Sequence, residues 1–348
     1  MAPRPQLGPL LVCLALSSLA ACEVLSSVPG LQTSSTSGTG LEEDSDSDTD
    51  DTFDPLLDVD PSDCAPPAQV SCDESSDDPL QAVGLDCLGG TPAVGEASGP
   101  PGAISTQTGS LGPYEVREGE KFLILSTGIA GQLRLTPEEL AQVCADPSSC
   151  PSTSHDVGPL ELPAPLDVNP VDSEATCVGR PELVGTGDCS NSLFEQWAAC
   201  GGGCQVWDYA ELRMNLTTPE QTYGLAFDFA FVTVEWPLFV GGGFNDMFVA
   251  WLESESWTGN ISFDGSGNPI TVNAGFTDYT ADELDGTAME GHAGTRWLTT
   301  DVGLNPGETI ELVLAIFDLS DGDYDSAVLL DGFRWTCSAS TPTTAPVP

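Results

Sequence analysis

Four aspartates, Asp318, Asp321, Asp323 and Asp325, fall within eight residues directly after the apolar run Thr309–Phe317. Carboxylates gathered at a strand end repel one another unless a cation or solvent stands between them. Ca²⁺ takes about six to eight hard oxygen ligands in flexible geometry, and Asp-rich loops with Gly turns supply carboxylates and carbonyls together. In an extended chain Asp321, Asp323 and Asp325 project to one side. Glu235, Asn245 and Asp246 also sit where strands are expected to end or begin, so they can reach the same rim. These seven residues form the candidate ligand set for a structural Ca²⁺. The competing reading is a solvated turn, with Asn245-Asp246 capping a loop through side-chain to backbone bonds.

Other chemistry is sparse. The chain has no G-x-S-x-G elbow, no H-E-x-x-H pair and no P-loop. Gly201-Gly202-Gly203, between Cys200 and Cys204, lacks the lysine of a phosphate cradle and reads as a tight loop. With no CxxC pair, and with His155 and His292 as the only histidines, a zinc set does not form. His292 reads as a structural, hydrogen-bonded residue. Among 54 acids a carboxylate pair for glycoside hydrolysis can be drawn anywhere, so abundance removes its value as a signal, and a hydrolase stays an alternative. Trp236, Trp251 and Trp257 are candidate sugar-stacking platforms. Trp251 lies in a buried-looking strand, whereas Trp257, between Ser254-Glu255-Ser256 and Thr258-Gly259, is expected to be the exposed ligand-binding ring.

The elements that must position these groups are strands. Tyr209–Leu216 alternates, with Ala210, Leu212, Met214 and Leu216 on one face, and predicts a half-buried strand. Tyr223–Trp236 is apolar on both faces and predicts a fully buried one. Phe244–Leu252, Thr309–Phe317 and Ala327–Trp335 supply further strands, and Ile261–Phe263 with Ile270–Val272 reads as a hairpin across Asp264–Pro269. One short helix is expected over Thr136–Cys144, with Thr136 as cap and Pro137 in the first turn. The fold class is therefore all-β: a two-sheet, jelly-roll-like β-sandwich.

Composition sets its surroundings. Eight Lys and Arg against 54 Asp and Glu give a formal charge of −46, which excludes a phosphate-tracking partner and so a nucleic acid. Residues 1–21, with Arg4 ahead of the apolar run Leu7–Leu19, read as a signal peptide. Its end, Leu19-Ala20-Ala21-Cys22, resembles a lipoprotein lipobox, which makes Cys22 the acylated first residue of the mature chain and a lipid-anchored membrane its first partner. Residues 22–63 are an acidic Ser/Thr/Asp linker that cannot bury enough apolar area to order. The body is expected over 64–337, with 64–77 as a lead-in, and a Thr/Pro tail over 338–348 is expected to fray. Ten cysteines, Cys64, Cys72, Cys87, Cys144, Cys150, Cys177, Cys189, Cys200, Cys204 and Cys337, make an even set of up to five disulfides for an exported protein. Their connectivity is open, although Cys337, just after the last apolar run, suggests a bridge that pins the final strand.

Leu125-Ser126-Thr127-Gly128, Glu235-Trp236-Pro237, Phe244-Asn245-Asp246-Met247-Phe248 and the Asp318–Val328 stretch resemble, in order, the choice-of-anchor L domain. That family consists of bacterial surface modules held to the cell by different anchoring signals. The resemblance covers about residues 78–337. It implies a single β-rich domain in which the Lys121–Thr127 strand joins the later sheets. It also implies a surface location, without an established reaction; the outer membrane is the expected destination from Glu23 following the acylated Cys22. The expected role is a non-catalytic binding or structural module, with a glycan or protein as ligand; a glycan-binding adhesin and a hydrolase are the rivals.

Overall fold

Alternating apolar residues build two antiparallel sheets. The computed structural model describes residues 63–144, 155–171, 176–199, 204–242, 245–280 and 282–347; the signal, Cys22, the linker, Cys150 and Cys200 lie outside them. In chain order the strands are β1 (Val94–Ser98), β2 (Ile104–Thr108), β3 (Lys121–Ser126), β4 (Val206–Thr217), β5 (Gly224–Thr233), β6 (Met247–Glu253) and β7 (Thr258–Asn260). They continue as β8 (Thr277–Tyr279), β9 (Ala293–Thr295), β10 (Leu298–Gly303), β11 (Thr309–Leu319), β12 (Ser326–Thr336) and β13 (Thr343–Pro346). Three short helices, α1 (Pro79–Ala82), α2 (Pro137–Val143) and α3 (Phe194–Ala199), lie among them. One sheet runs β1-β4-β11-β6-β7, the other β13-β10-β5-β12-β3-β2, with β9 on β5 and β8 on β9.

The core fills the space between the sheets. Leu212, Met214, Ala250, Leu312, Leu314 and Ile316 from one sheet meet Leu123, Leu125, Phe229, Phe231, Val328 and Leu330 from the other. Phe229 and Phe248 close the gap with ring centroids 4.8 Å apart. Both outer faces are covered as well, which explains the nearly continuous apolar runs. Tyr114, Leu133, Leu284 and Trp297 lie over Phe122, Ala230 and Leu329 on one side. Leu166, Leu193 and Trp197 lie over Val249, Trp251 and Phe317 on the other. This second cover makes β4 more buried than its alternation predicts, with Tyr209 and Glu211 enclosed on its outer face.

Thr136 caps α2 in a reciprocal capping box with Glu139, and Pro137 opens the helix, as expected. Two expectations are corrected. The Thr/Pro tail does not fray along its length: Thr343–Pro346 pairs with Leu298–Asp301 of β10 as an edge strand. The hairpin reduces to one bridge, Phe263 to Pro269, because Ile270 instead bridges Phe248 of β6. Cys64–Cys337, Cys72–Cys87 and Cys177–Cys189 are disulfides, and the first does pin the end of β12. Cys144 and Cys204 are disulfide-bonded too.

Candidate functional site

At one rim of the sandwich the inward alternation continues but changes from apolar to acidic. On β11, Leu314 and Ile316 are followed two residues later by Asp318; on β6, Asp246 precedes Phe248. Phe229 and Phe231 of β5 lead through Thr233 to Glu235, and Leu123 and Leu125 of β3 lead to Thr127. Since side chains alternate with period two, each of these groups is carried to the inside of the rim. Register then gathers the strand ends: Asp318 faces Trp207 of β4, Phe317 faces Met247 of β6, and Ser326 of β12 faces Thr233 of β5. Asp325, one residue before β12, arrives with Ser326.

A further acid enters through a bulge. Ile316 faces Ala210 while Asp318 faces Trp207, so Asp208 and Tyr209 together oppose Phe317. Asp208 takes φ 50°, a left-handed conformation that costs energy in a strand and tends to mark functional places. Its Oδ1 accepts the Val157 N–H at 2.7 Å. Sequence reasoning missed Asp208, because a bulge leaves no trace in residue periodicity; an acid at the mouth of an apolar alternation was the only available signal.

The resulting knot is buried: Asp208 is 0% exposed, Asp318 1%, Asp246 2%, Asp325 2% and Glu235 3%. Glu235 Oε2 accepts the Asp246 N–H at 3.1 Å, and Ser326 Oγ donates to Asp246 Oδ2 at 2.6 Å. Ser326 is held in turn by its N–H donating to Thr127 Oγ1 at 2.9 Å. Asp318 lies against Asp246, Asp208 and Thr127. By distance and angle neither Asp318 oxygen, nor Oδ2 of Asp208, completes a hydrogen bond with an N–H or hydroxyl donor, although neighbouring carboxyls and the Thr127 hydroxyl lie close to them. The seven described Lys and Arg side chains are engaged elsewhere, Arg117 and Arg334 with Asp228, Arg213 with Glu211 and Glu311, Lys121 with Asp77, Arg180 with Glu182, Arg296 with Asp278 and Arg134 with Ser105.

Burial, then the charges of Asp246 and Asp325, holds the Asp318 carboxyl well above the usual carboxylate range. Burial and then Glu235 do the same to Asp246. Burial pushes Glu235 up to about 9, with Asp318 and Asp321 adding to it against the Asp246 N–H. Gly128 completes the arrangement, since a Cβ there would collide with the Asp325 carboxylate.

Of the seven residues expected at a cation site, Glu235, Asp246, Asp318 and Asp325 converge, and half-buried Asp321 borders Glu235. Asn245 does not join them: its Nδ2 donates to the Gly242 carbonyl at 3.0 Å and its Oδ1 accepts from Asn273 at 2.7 Å, a loop clamp. Asp323 is exposed, and its N–H donates to Asp321 Oδ1. Among the described residues, no group of three or more His, Cys, Asp or Glu side chains is arranged so that it could hold a metal ion. No family model and no curated protein matches the chain.

The Trp257 expectation is also corrected. The ring is 5% exposed and packs in the central core. A turn in which Ser254 Oγ accepts the Trp257 N–H at 2.9 Å and donates to its carbonyl at 3.0 Å folds the side chain inward. His292 has Nδ1 3.4 Å from the Trp236 carbonyl, in keeping with a structural role.

Proposed function

We propose that this chain is an exported, lipid-anchored module of the bacterial surface that binds or builds and does not turn over a substrate. The observation that carries the reading is the burial of its acids. A general acid or base must come within hydrogen-bond reach of the reacting atoms. Glu235, Asp246 and Asp318, the carboxyls most displaced toward the neutral form, are 3%, 2% and 1% exposed and face one another instead. The cystines suit an oxidising compartment, and the ordered resemblance to choice-of-anchor L domains supports a surface module. Cys22→Ser is expected to move the protein from the membrane fraction to the soluble exported fraction with its disulfides intact. A wild-type chain that stays cytosolic with free thiols, or that hydrolyses a glycan and loses this activity in Glu235→Gln, would overturn the reading.

One groove favours glycan recognition as a second reading. An open cavity of about 410 Å³ is lined by Ser190, Asn191, Phe194, Gln196 and Asn268. Phe194 is 45% exposed, and an aromatic face set among hydroxyls and amides is the chemistry of a sugar site. The walls are stiff: Asp188 accepts N–H bonds from Ser190 and Asn260, and Asp264 from Ser266, Asn268 and Gly275. On a glycan array, Phe194→Ala is expected to weaken whichever sugar the wild type retains by about tenfold. Retention of no glycan by the wild type removes this reading.

A further inference from the structure

We propose that the acidic knot is a Ca²⁺ site, with Asp318 as its central ligand and Asp208, Asp246 and Asp325 around it. Two of these carboxylates supply the decisive observation. Asp318 is 1% exposed with both oxygens unpartnered, and Asp208 is 0% exposed with Oδ2 unpartnered. Buried acceptors left without donors are costly, and natural folds leave few of them unless a water or an ion completes the set. Here three such oxygens meet in one place beside two further acids, with every described Lys and Arg engaged elsewhere and the His155 ring the one described basic side chain acting on Asp208.

The backbone is shaped for the same end. Asp208 reaches the knot through a bulge at φ 50°, and Gly128 leaves the space that Asp325 fills. Asp208, Asp246 and Asp318 come from β4, β6 and β11 of one sheet; Thr127, Glu235 and Asp325 flank β3, β5 and β12 of the other. An ion there joins the two sheets at their rim. The donors are hard oxygens of irregular arrangement, which suits Ca²⁺ better than Mg²⁺ with its strict octahedron or Zn²⁺ with its nitrogen and sulfur ligands. The carboxylates lean on one another and do not enclose a point in this structure, so the proposal requires their side chains to turn about their torsions to surround the ion. The site stands whatever the module binds, so its failure would leave the surface-module reading intact.

The test uses the purified, oxidised protein, stripped with chelator and then given Ca²⁺ or Mg²⁺. Metal analysis is expected to find one Ca²⁺ per chain. Melting should rise by on the order of 5 °C when Ca²⁺ is about a hundredfold above its dissociation constant, and by less with Mg²⁺. Asp318→Asn should lose both the bound ion and the shift, while its ion-free melting temperature stays near wild type, because the amide has the shape and neutrality of the carboxyl that burial favours there. If that variant does not fold, Asp208→Asn takes its place: asparagine tolerates the left-handed conformation and keeps the acceptor for Val157. No bound Ca²⁺, an unchanged melting temperature, an equal response to Mg²⁺, or a full Ca²⁺ response in the variant overturns the proposal.

Discussion

In chelator, the protein is expected to melt higher at pH 5 than at pH 8. A carboxyl whose pKa folding raises holds its proton more tightly in the native state. Its stabilisation is complete below the unfolded value and is lost as pH climbs through the folded one. For Glu235 that window runs from 4.5 to about 9. A single such group loses on the order of 4 kcal/mol between pH 5 and pH 8, or on the order of 10 °C in melting temperature. Asp246 and Asp318 move in the same sense, as do Asp331, pushed up to about 8, and Asp188, to about 6, both chiefly by burial. Asp77, Asp264 and Glu182 are shifted down, so their contributions change only at more acidic pH. Glu235→Gln keeps the shape and removes one titration, and should flatten the slope. Saturating Ca²⁺ should reverse it over this range, because the ion favours the ionised carboxylates. A higher melting temperature at pH 8 without metal would mean that the knot is not proton-loaded.

Replacing Cys64 and Cys337 together with Ser is expected to cost about 2–5 kcal/mol. The bridge spans 273 residues, so it constrains the unfolded chain strongly. The lead-in it fastens is tied elsewhere as well, by the Cys72–Cys87 bridge, by Asp73 accepting the Glu120 and Lys121 N–H groups and by Gln69 Nε2 donating to the Phe333 carbonyl at 2.8 Å, so the expected loss comes chiefly from freeing the unfolded chain. Urea unfolding of the double variant measures the loss. A midpoint shift worth less than about 1 kcal/mol would show that the remaining ties and packing secure the lead-in without this bridge.

Strands with strong alternation were legible in the residues themselves. Leu312, Leu314 and Ile316 announced β11, and the two apolar faces of Phe227–Val234 announced a strand covered on both sides. Thr136, Pro137 and Glu139 placed α2 through capping chemistry. Four of the site acids were visible because they lie at strand ends. Asp208 was not, since its place depends on a bulge that only cross-strand register reveals. Asn245 and Asp323 were included by proximity in the chain, which cannot tell a loop clamp from an inward carboxylate. Trp257 was misplaced for a related reason: polar neighbours on both sides suggested a surface ring, but the Ser254 turn hid it. The tail looked too short and too rich in Pro to order, yet its side-chain alternation mattered less than the open edge of β10 it could pair with.

β12 lies between β5 and β3 in the middle of its sheet, although among the described strands only β13 follows it. A polypeptide made from its N-terminus therefore cannot complete that sheet until Ser326–Thr336 has emerged. Until then β3 and β5 have no shared neighbour and the acidic rim lacks Ser326, which holds Asp246. Closure of the sheet, and with it the joining of the two halves of the acidic rim, thus waits on the arrival of one late strand.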